Sequence, residues 1–296
     1  MPNTRDIRRR IKSIKNTSQI TKAMQMVAAS KMRKAQQAAL AGRPFAEALN
    51  RIMVSARGRV NLDAHPLIER REVKNVCVLL ITTDKGLCGA LNTNLLRLVS
   101  QYDAAATSFV SVGRKGKAFL VRNKRHLLAD FEVGDAFTYA NTRAIGKFLI
   151  DLYTDKKVDR VDVLYTDFVN TLIQKPSQVP LLPVSAEALL KAGLADAEQQ
   201  AEAKAQSEAA LGTYEFEPDE TEVLSAVLPG YVHYQVWHYQ LESKASEHSS
   251  RMVAMKNATD NAKQMIKDLT LEYNKIRQAG ITKELLEITT AQMALG

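Results

Sequence analysis

The segment Thr82-Thr83-Asp84-Lys85-Gly86-Leu87-Cys88-Gly89-Ala90 crowds two hydroxyls, a carboxylate, an ammonium and a thiol between the apolar run Val76-Cys77-Val78-Leu79-Leu80-Ile81 and a helix-forming stretch. In α/β proteins, a loop that leaves the first strand and opens a helix is where free backbone amides grip phosphate. This loop has neither Gly-x-Gly-x-x-Gly nor Gly-x-x-x-x-Gly-Lys-Ser/Thr, so a structural turn is the simpler reading and a nucleotide loop the alternative. Gly113-Arg114-Lys115-Gly116-Lys117 has the composition of a phosphate loop but reads as a basic helix start. No Ser-His-Asp set, carboxylate pair or metal cluster stands out, and His65, His126, His233, His238 and His248 are isolated from one another. Cys77 and Cys88 form no Cys-x-x-Cys, so neither a zinc site nor a disulfide framework is indicated and no cofactor is expected. Thiol regulation is not expected either, because Cys77 falls in a strand-like run and no cysteine lies between Ala186 and Leu211.

These residues sit in a region where strand and helix patterns alternate. Val76 to Thr82, Ser108 to Val112, Leu127 to Glu132 and Val158 to Phe168 read as strands. Ala90 to Gln101, Lys115 to Lys124 and Arg143 to Asp155 read as the helices between them. That alternation predicts an α/β domain with a largely parallel sheet over residues 70–190. Asn170 to Val184 holds three prolines and is expected to leave the sheet as an extended segment. Ala186 to Leu211, rich in Ala, Glu and Gln, reads as a surface helix or a mobile insert.

Both ends of the chain are built differently. From Tyr231 a seam at steps of three and four passes through Tyr234, His238, Leu241, Ala245, His248, Met252, Met255, Thr259, Ala262, Ile266, Leu269, Tyr273 and Ile276 to Gly280. Spacing that averages 3.5 residues keeps one face toward a partner helix over about 75 Å, at ~1.5 Å per residue. The seam is poor in apolar bulk, since His238, His248, Thr259 and Gly280 stand where Leu or Ile would grip best. Such a helix suits a shaft that packs without locking. At the other end, Thr4 to Arg57 contains one Pro and one Gly, Pro44 and Gly42. Its stripe runs Ile7, Ile11, Ile14, is interrupted by Ser18, Thr21 and Gln25, and resumes at Ala28, Met32, Ala35 and Ala39. An antiparallel pairing of the two ends is the simplest arrangement, with a parallel dimer through one seam as the alternative.

Charge is uneven along the chain. Residues 1–60 carry fourteen Lys or Arg against Asp6 and Glu47, a larger surplus than the net +9 of the whole chain. Residues 193–222 carry nine acids against Lys204. A basic helix meets nucleic acid, anionic lipid or an acidic protein surface. Few aromatics on the helix and no recognition module argue against nucleic acid. No run is long and apolar enough to span a bilayer, and Met1-Pro2-Asn3 opens no signal peptide, so a cytosolic protein without a direct membrane span is expected.

Several motifs together resemble the gamma subunit of F-type ATP synthases. They are Asp6-Ile7-Arg8 with Asn16-Thr17, the run from Ile20 to Arg33, the loop Thr83 to Gly89, the run from Arg251 to Ala262, and Tyr273-Asn274-Lys275-Ile276-Arg277-Gln278. The resemblance implies a long antiparallel coiled coil of N- and C-terminal helices around a central Rossmann-like α/β domain. It divides the chain into a helix over 1–60, the α/β domain over 70–190, a variable insert and foot segment over 191–222, and a helix over 223–296. It also implies a non-catalytic rotor, coupling ion flow through a membrane ring of c subunits to ATP synthesis or hydrolysis in a ring of alpha and beta subunits. The seat would be peripheral, on the cytoplasmic face of a bacterial plasma membrane.

Residue roles follow from the same resemblance. Met24, Lys31, Arg33, Lys34, Arg251 and the loop at Cys88 are expected to meet acidic loops of beta subunits. Arg277, Gln278 and Thr282 match polar residues that catch a beta-subunit loop. Tyr214 and Glu217 match the foot that rests on the c-subunit ring beside epsilon. Pro229-Gly230 departs from the family pattern and predicts a kink, and no regulatory cysteine pair of the photosynthetic kind is present.

Overall fold

The computed structural model describes residues 4–57, 65–69, 71–134, 138–184, 217 and 220–295. They form helix α1 (Thr4–Arg57), strand β1 (Val76–Ile81), α2 (Leu91–Val99), β2 (Thr107–Val112), α3 (Arg114–Arg122), β3 (His126–Phe131), α4 (Tyr139–Thr154), β4 (Arg160–Phe168), β5 (Gln174–Leu182) and α5 (Glu220–Leu295). The chain divides into two compact units, Met1–Ser30 with Arg251–Gly296, and Lys31–Ser250. The insert expected over Ala186 to Leu211 lies outside the described residues.

In the first unit, the opening of α1 runs antiparallel to the end of α5. Arg8 donates to the Tyr273 hydroxyl and lays its guanidinium 5.4 Å from the ring centroid. Thirteen residues further along α1, Thr21 meets Thr259 at 2.7 Å, fourteen residues back on α5. That counter-running register is intramolecular, which answers the dimer alternative. Ile7, Thr21 and Ala28 are buried on one side and Met255, Thr259 and Ala262 on the other. The two threonine hydroxyls sit where a coiled coil would place aliphatic knobs. One donates across the seam, and the other donates back to its own helix, to Ser18 O at 3.1 Å or Met255 O at 2.8 Å. The α5 seam ends sooner than its periodicity predicts: Ile276 is half-buried, whereas Gly280 and every other residue from Arg277 to Met293 are exposed.

The second unit is a three-layer sandwich. Its sheet has the order β3-β2-β1-β4-β5, with the first four strands parallel and β5 antiparallel to β4. Alternate strand residues face opposite layers. Val78, Leu80, Phe109 and Leu164 pack against Leu95, Val99 and Leu120 of α2 and α3. Cys77, Leu79, Val110, Val161 and Val163 pack against Ile145 and Leu149 of α4 and against Leu228, Val232 and Val236 of α5. Each such aliphatic side chain contributes about 2 kcal/mol by leaving water. Both thiols are buried, and burial with the nearby Asp162 carboxylate pushes the Cys77 thiol up to about 12.

Two local expectations are corrected here. Asn170 to Val184 does not leave the sheet: Gln174 to Leu182 is the edge strand β5, with Pro180 opposite Asp162 and Pro176 opposite Thr166. Proline cannot donate to a ladder, but an edge strand leaves one row of amides unpaired in any case. Helix α4 begins at Tyr139, before the expected Arg143, because Asn141 Oδ1 accepts from both Thr138 N (3.0 Å) and Thr138 Oγ1 (2.7 Å) and so fixes an earlier start. Pro229, where a kink is expected, lies inside α5. Leu228, Tyr231 and Val232, buried in the sandwich, hold that turn against the loss of one backbone bond.

Close approaches join α5 to its neighbours within this unit. A Cβ on Gly146 of α4 would lie 2.3 Å from His233 Nδ1, and one on Gly42 of α1 would lie 2.7 Å from the Trp237 ring. Tyr139 and Phe45 add ring contacts to Trp237 and Tyr234, at 6.1 and 5.4 Å between centroids.

Candidate functional site

The first loop is consumed by the fold. Thr82 Oγ1 donates to Val112 O (3.0 Å) and accepts from Gly116 N (2.8 Å). Asp84 Oδ1 accepts from Arg114 N (3.1 Å), and Thr83 O accepts from Lys115 N (3.1 Å). The amides at the start of α3, in the basic Gly113 to Lys117 segment, are thus engaged by this loop. Asn92 Nδ2 donates to Thr83 Oγ1 (2.8 Å), and Ser250 Oγ of α5 donates to Cys88 O (2.8 Å). Lys244 of α5 reaches Glu247 at 3.2 Å and Asp84 at 3.9 Å. The loop is a junction between β1, α3 and α5. Among the described residues, no group of three His, Cys, Asp or Glu is placed to hold a metal ion.

The residues singled out from the sequence fall in both units. In the first, Met24 is half-buried and Arg251 is buried, while Arg277, Gln278 and Thr282 are exposed on α5. Thr282 Oγ1 donates to Gln278 O at 3.0 Å, which leaves its oxygen only acceptor capacity toward a partner. In the second unit, Lys31 is half-buried and Arg33 and Lys34 are exposed on α1. Cys88 is buried, and the side chains its loop offers outward include Lys85 and Leu87, the latter held at φ 62°. Glu217 is exposed, and Tyr214 lies outside the described residues.

One titratable cluster carried no signal in the sequence. On β4 and α5, the Tyr165 and Tyr239 rings meet at 4.6 Å between centroids, tilted by 35°, and His238 Nε2 lies 3.0 Å from Glu242 Oε1. Burial first, then the Glu242 charge and a hydrogen bond to it, raise the Asp167 carboxyl above its ordinary value, while His238 and Lys175 pull the other way. A raised acid favours the fold when protonated. Its contribution is complete below the ordinary value of 3.8 and is lost as pH climbs through the raised one. Above the raised value the ionised carboxylate therefore works against the fold. Asp167→Asn is expected to raise the melting temperature at pH 7 and to leave it unchanged near pH 3, as followed by calorimetry at both values. A lower melting temperature at pH 7 would contradict this assignment.

Comparison with known proteins decides the family. A family model described as ATP synthase matches residues 3–295. The ATP synthase gamma chain of Opitutus terrae is 50% identical over 299 residues, covering 99% of both chains. This chain belongs to the ATP synthase gamma family. Two solved structures share its fold. A chain of the Euglena gracilis mitochondrial ATP synthase aligns with a TM-score of 0.67 at 20% identity, over 99% of this chain and 94% of that one. A chain of the central stalk and c-ring of the Tetrahymena thermophila enzyme aligns with a TM-score of 0.58 at 26% identity, over 81% and 99%. The paired terminal helices and the doubly wound sheet are thus the family's architecture in this chain. Among the described residues, no helix is long and apolar enough to cross a membrane.

Proposed function

We propose that this chain is the central rotor of an F-type ATP synthase, coupling ion flow through a membrane ring to ATP synthesis or hydrolysis in a ring of alpha and beta subunits. The observation that carries this reading, beside the family match, is the bare end of α5. From Arg277 to Met293 the helix is exposed on every side, with Ile281, Leu285, Leu286, Ile288 and Met293 among its outward residues. That is about 25 Å of helix at ~1.5 Å per residue. A lone helix of this length is marginal in water, and its exposed apolar residues call for a surrounding sleeve. The hydroxyl-bearing seam at Thr21 and Thr259 suits a shaft whose helices must stay paired without a tightly gripped core.

In this role the segments 1–60 and 223–296 are the shaft helices, 70–190 the α/β domain, and 191–222 the insert and foot. Met24, Lys31, Arg33, Lys34, Arg251 and the Cys88 loop bear on the beta subunits, with Leu87 and the exposed cations making contact. Arg277, Gln278 and Thr282 catch a beta-subunit loop. Tyr214 and Glu217 rest on the c-subunit ring beside epsilon. The bacterial source of the relative named above supports a peripheral position on the cytoplasmic face of the plasma membrane.

Chemistry belongs to the ring. The rotor supplies a free-energy difference between ring conformations, which is coupling and not catalysis. The pure chain is therefore expected to hydrolyse no ATP and to raise the cooperative ATPase of an alpha-beta ring on reconstitution. Turnover by the ring-free chain, at a rate that survives repurification, would overturn the proposal.

A further inference from the structure

The first loop is tied to α5 near each of its ends. At the near end, Lys244 Nζ lies 3.9 Å from Asp84 Oδ2 and 3.2 Å from Glu247 Oε2. The Lys244, Asp84 and Glu247 side chains are only 11%, 18% and 4% exposed, so these charges attract with far less screening than on an open surface. At the far end, Ser250 Oγ donates to Cys88 O at 2.8 Å. Lys244 and Ser250 are about 9 Å apart along the helix at ~1.5 Å per residue.

Between these tethers the backbone is permissive. Gly89 stands at φ +59°, and a Cβ on Gly86 would meet nothing within 4 Å. The loop has internal bonds of its own: Thr83 Oγ1 donates to Lys85 O (2.8 Å), and Asn92 Nδ2 donates to Thr83 Oγ1 (2.8 Å) and Cys88 Sγ (3.4 Å). Those bonds shape the loop and tie it to α2, whereas Lys244 and Ser250 tie the shaped loop to α5. Asp84 divides its carboxylate accordingly. Oδ1 accepts from Arg114 N at the start of α3, and Oδ2 faces Lys244. The exposed tip, Lys85 and Leu87, projects between the two anchored residues Asp84 and Cys88.

We propose that Lys244 and Ser250 are positioning residues that clamp the two ends of the first loop to α5, so that the tip at Lys85 and Leu87 turns with the shaft helix and does not swing aside under load. This rests on the rotor reading and on the loop bearing on the ring. Neither residue has to touch a partner subunit, since each acts through a loop atom, Asp84 Oδ2 or Cys88 O. Coupling requires a contact free energy that differs between ring states, and a tip free to swing makes its contact alike in each.

The test uses the full chain first and the assembled complex second. Asp84→Asn keeps the Oδ1 acceptor for Arg114 N and removes the charge facing Lys244, which retains Glu247 as its partner. Ser250→Ala removes the other tether. Leu87→Cys and Ala226→Cys, both at exposed positions, carry nitroxide labels, while the native thiols are buried. Double electron–electron resonance between the labels should give one narrow distance distribution in the parent and a broad one when Asp84→Asn and Ser250→Ala are combined. Each single substitution should broaden it less, and Ser250→Thr, which retains a hydroxyl donor, should keep it narrow. A distribution as narrow in the double variant as in the parent would overturn the clamp.

In the complex, Asp84→Asn with Ser250→Ala should slow ATP hydrolysis at saturating ATP roughly two- to tenfold. That loss should disappear in a Lys85→Ala, Leu87→Ser background, because a clamp on a tip without contacts has nothing to transmit. Losses that simply add would overturn the positioning role and leave a merely structural one. Two other results bear on the underlying reading: parental turnover in the Lys85→Ala, Leu87→Ser variant would refute the loop's bearing on the ring, and a parental chain that fails to raise the ATPase of an alpha-beta ring would refute the rotor.

Discussion

Replacing Gly113 with alanine is expected to lower the unfolding free energy of the chain by roughly 2 to 6 kcal/mol. Two penalties act together at this position. Its φ of +93° is a backbone conformation that side chains resist, which costs about 1–3 kcal/mol for a non-glycine residue. The added Cβ would also stand 2.3 Å from the Thr82 carbonyl oxygen and 2.9 Å from its carbon, both backbone atoms that cannot swing aside. Moving β2 away to relieve the clash would break the Thr82 N to Val112 O bond of 2.8 Å and disturb the bonds from the start of α3 to Thr82, Thr83 and Asp84. The control is Gly86→Ala, where the new Cβ meets nothing within 4 Å and little change is expected. Urea denaturation followed by circular dichroism should separate the two variants clearly. Parental stability in Gly113→Ala would mean that the junction between the first loop and α3 is far softer than its geometry indicates.

That junction shows where the sequence was legible and where it was not. The Gly113 segment could be recognised as a helix start, and the first loop as a turn without a phosphate pattern, because both facts are local. The terminal seams were legible for the same reason: a 3.5-residue period is written along one helix, and Thr21, Ala28, Met255, Thr259 and Ala262 are buried at the positions it names. The period over-reached at Gly280, since spacing cannot say how far the partner helix accompanies it. It also says little between Leu228 and Arg251, where the sandwich buries α5 on several faces, including Gln235, Gln240, Ser243, Ser246, Glu247 and Ser249. Prolines concealed β5, because sequence alone cannot distinguish an edge strand that tolerates them from a segment that has left the sheet. Gly146 against His233 and Gly42 against Trp237 are close approaches between residues remote in sequence, with no local signal.

The candidate catch on α5 leads to the second large effect, and the structure ranks its members. Arg277, Gln278 and Thr282 are exposed, so alanine at any of them should leave the fold within about 0.5 kcal/mol of the parent. Their effect is expected in turnover. Only bonds that strengthen toward the transition state of the rotary step change its rate. A guanidinium to a carboxylate or carbonyl contributes ~1.5–3 kcal/mol and a neutral bond ~0.5–1.5 kcal/mol. With a factor of ten per ~1.4 kcal/mol, Arg277→Ala should slow ATP hydrolysis and synthesis in the assembled complex by roughly ten- to a hundredfold. Gln278→Ala should lose tenfold or less, at about 1 kcal/mol for a neutral amide. Thr282 is weaker still, because its proton already goes to Gln278 O at 3.0 Å and only an acceptor lone pair remains for the partner. Thr282→Ser keeps that acceptor and should run near the parental rate, whereas Thr282→Val should not. Arg251, proposed for a separate contact, lies about 40 Å along α5 from Gln278 at ~1.5 Å per residue, so combining Arg251→Ala with Arg277→Ala should add the two free-energy losses. Helicity by circular dichroism must stay at the parental value throughout. If Arg277→Ala, Gln278→Ala and Thr282→Ala all turn over at the parental rate, the catch does not lie at these residues.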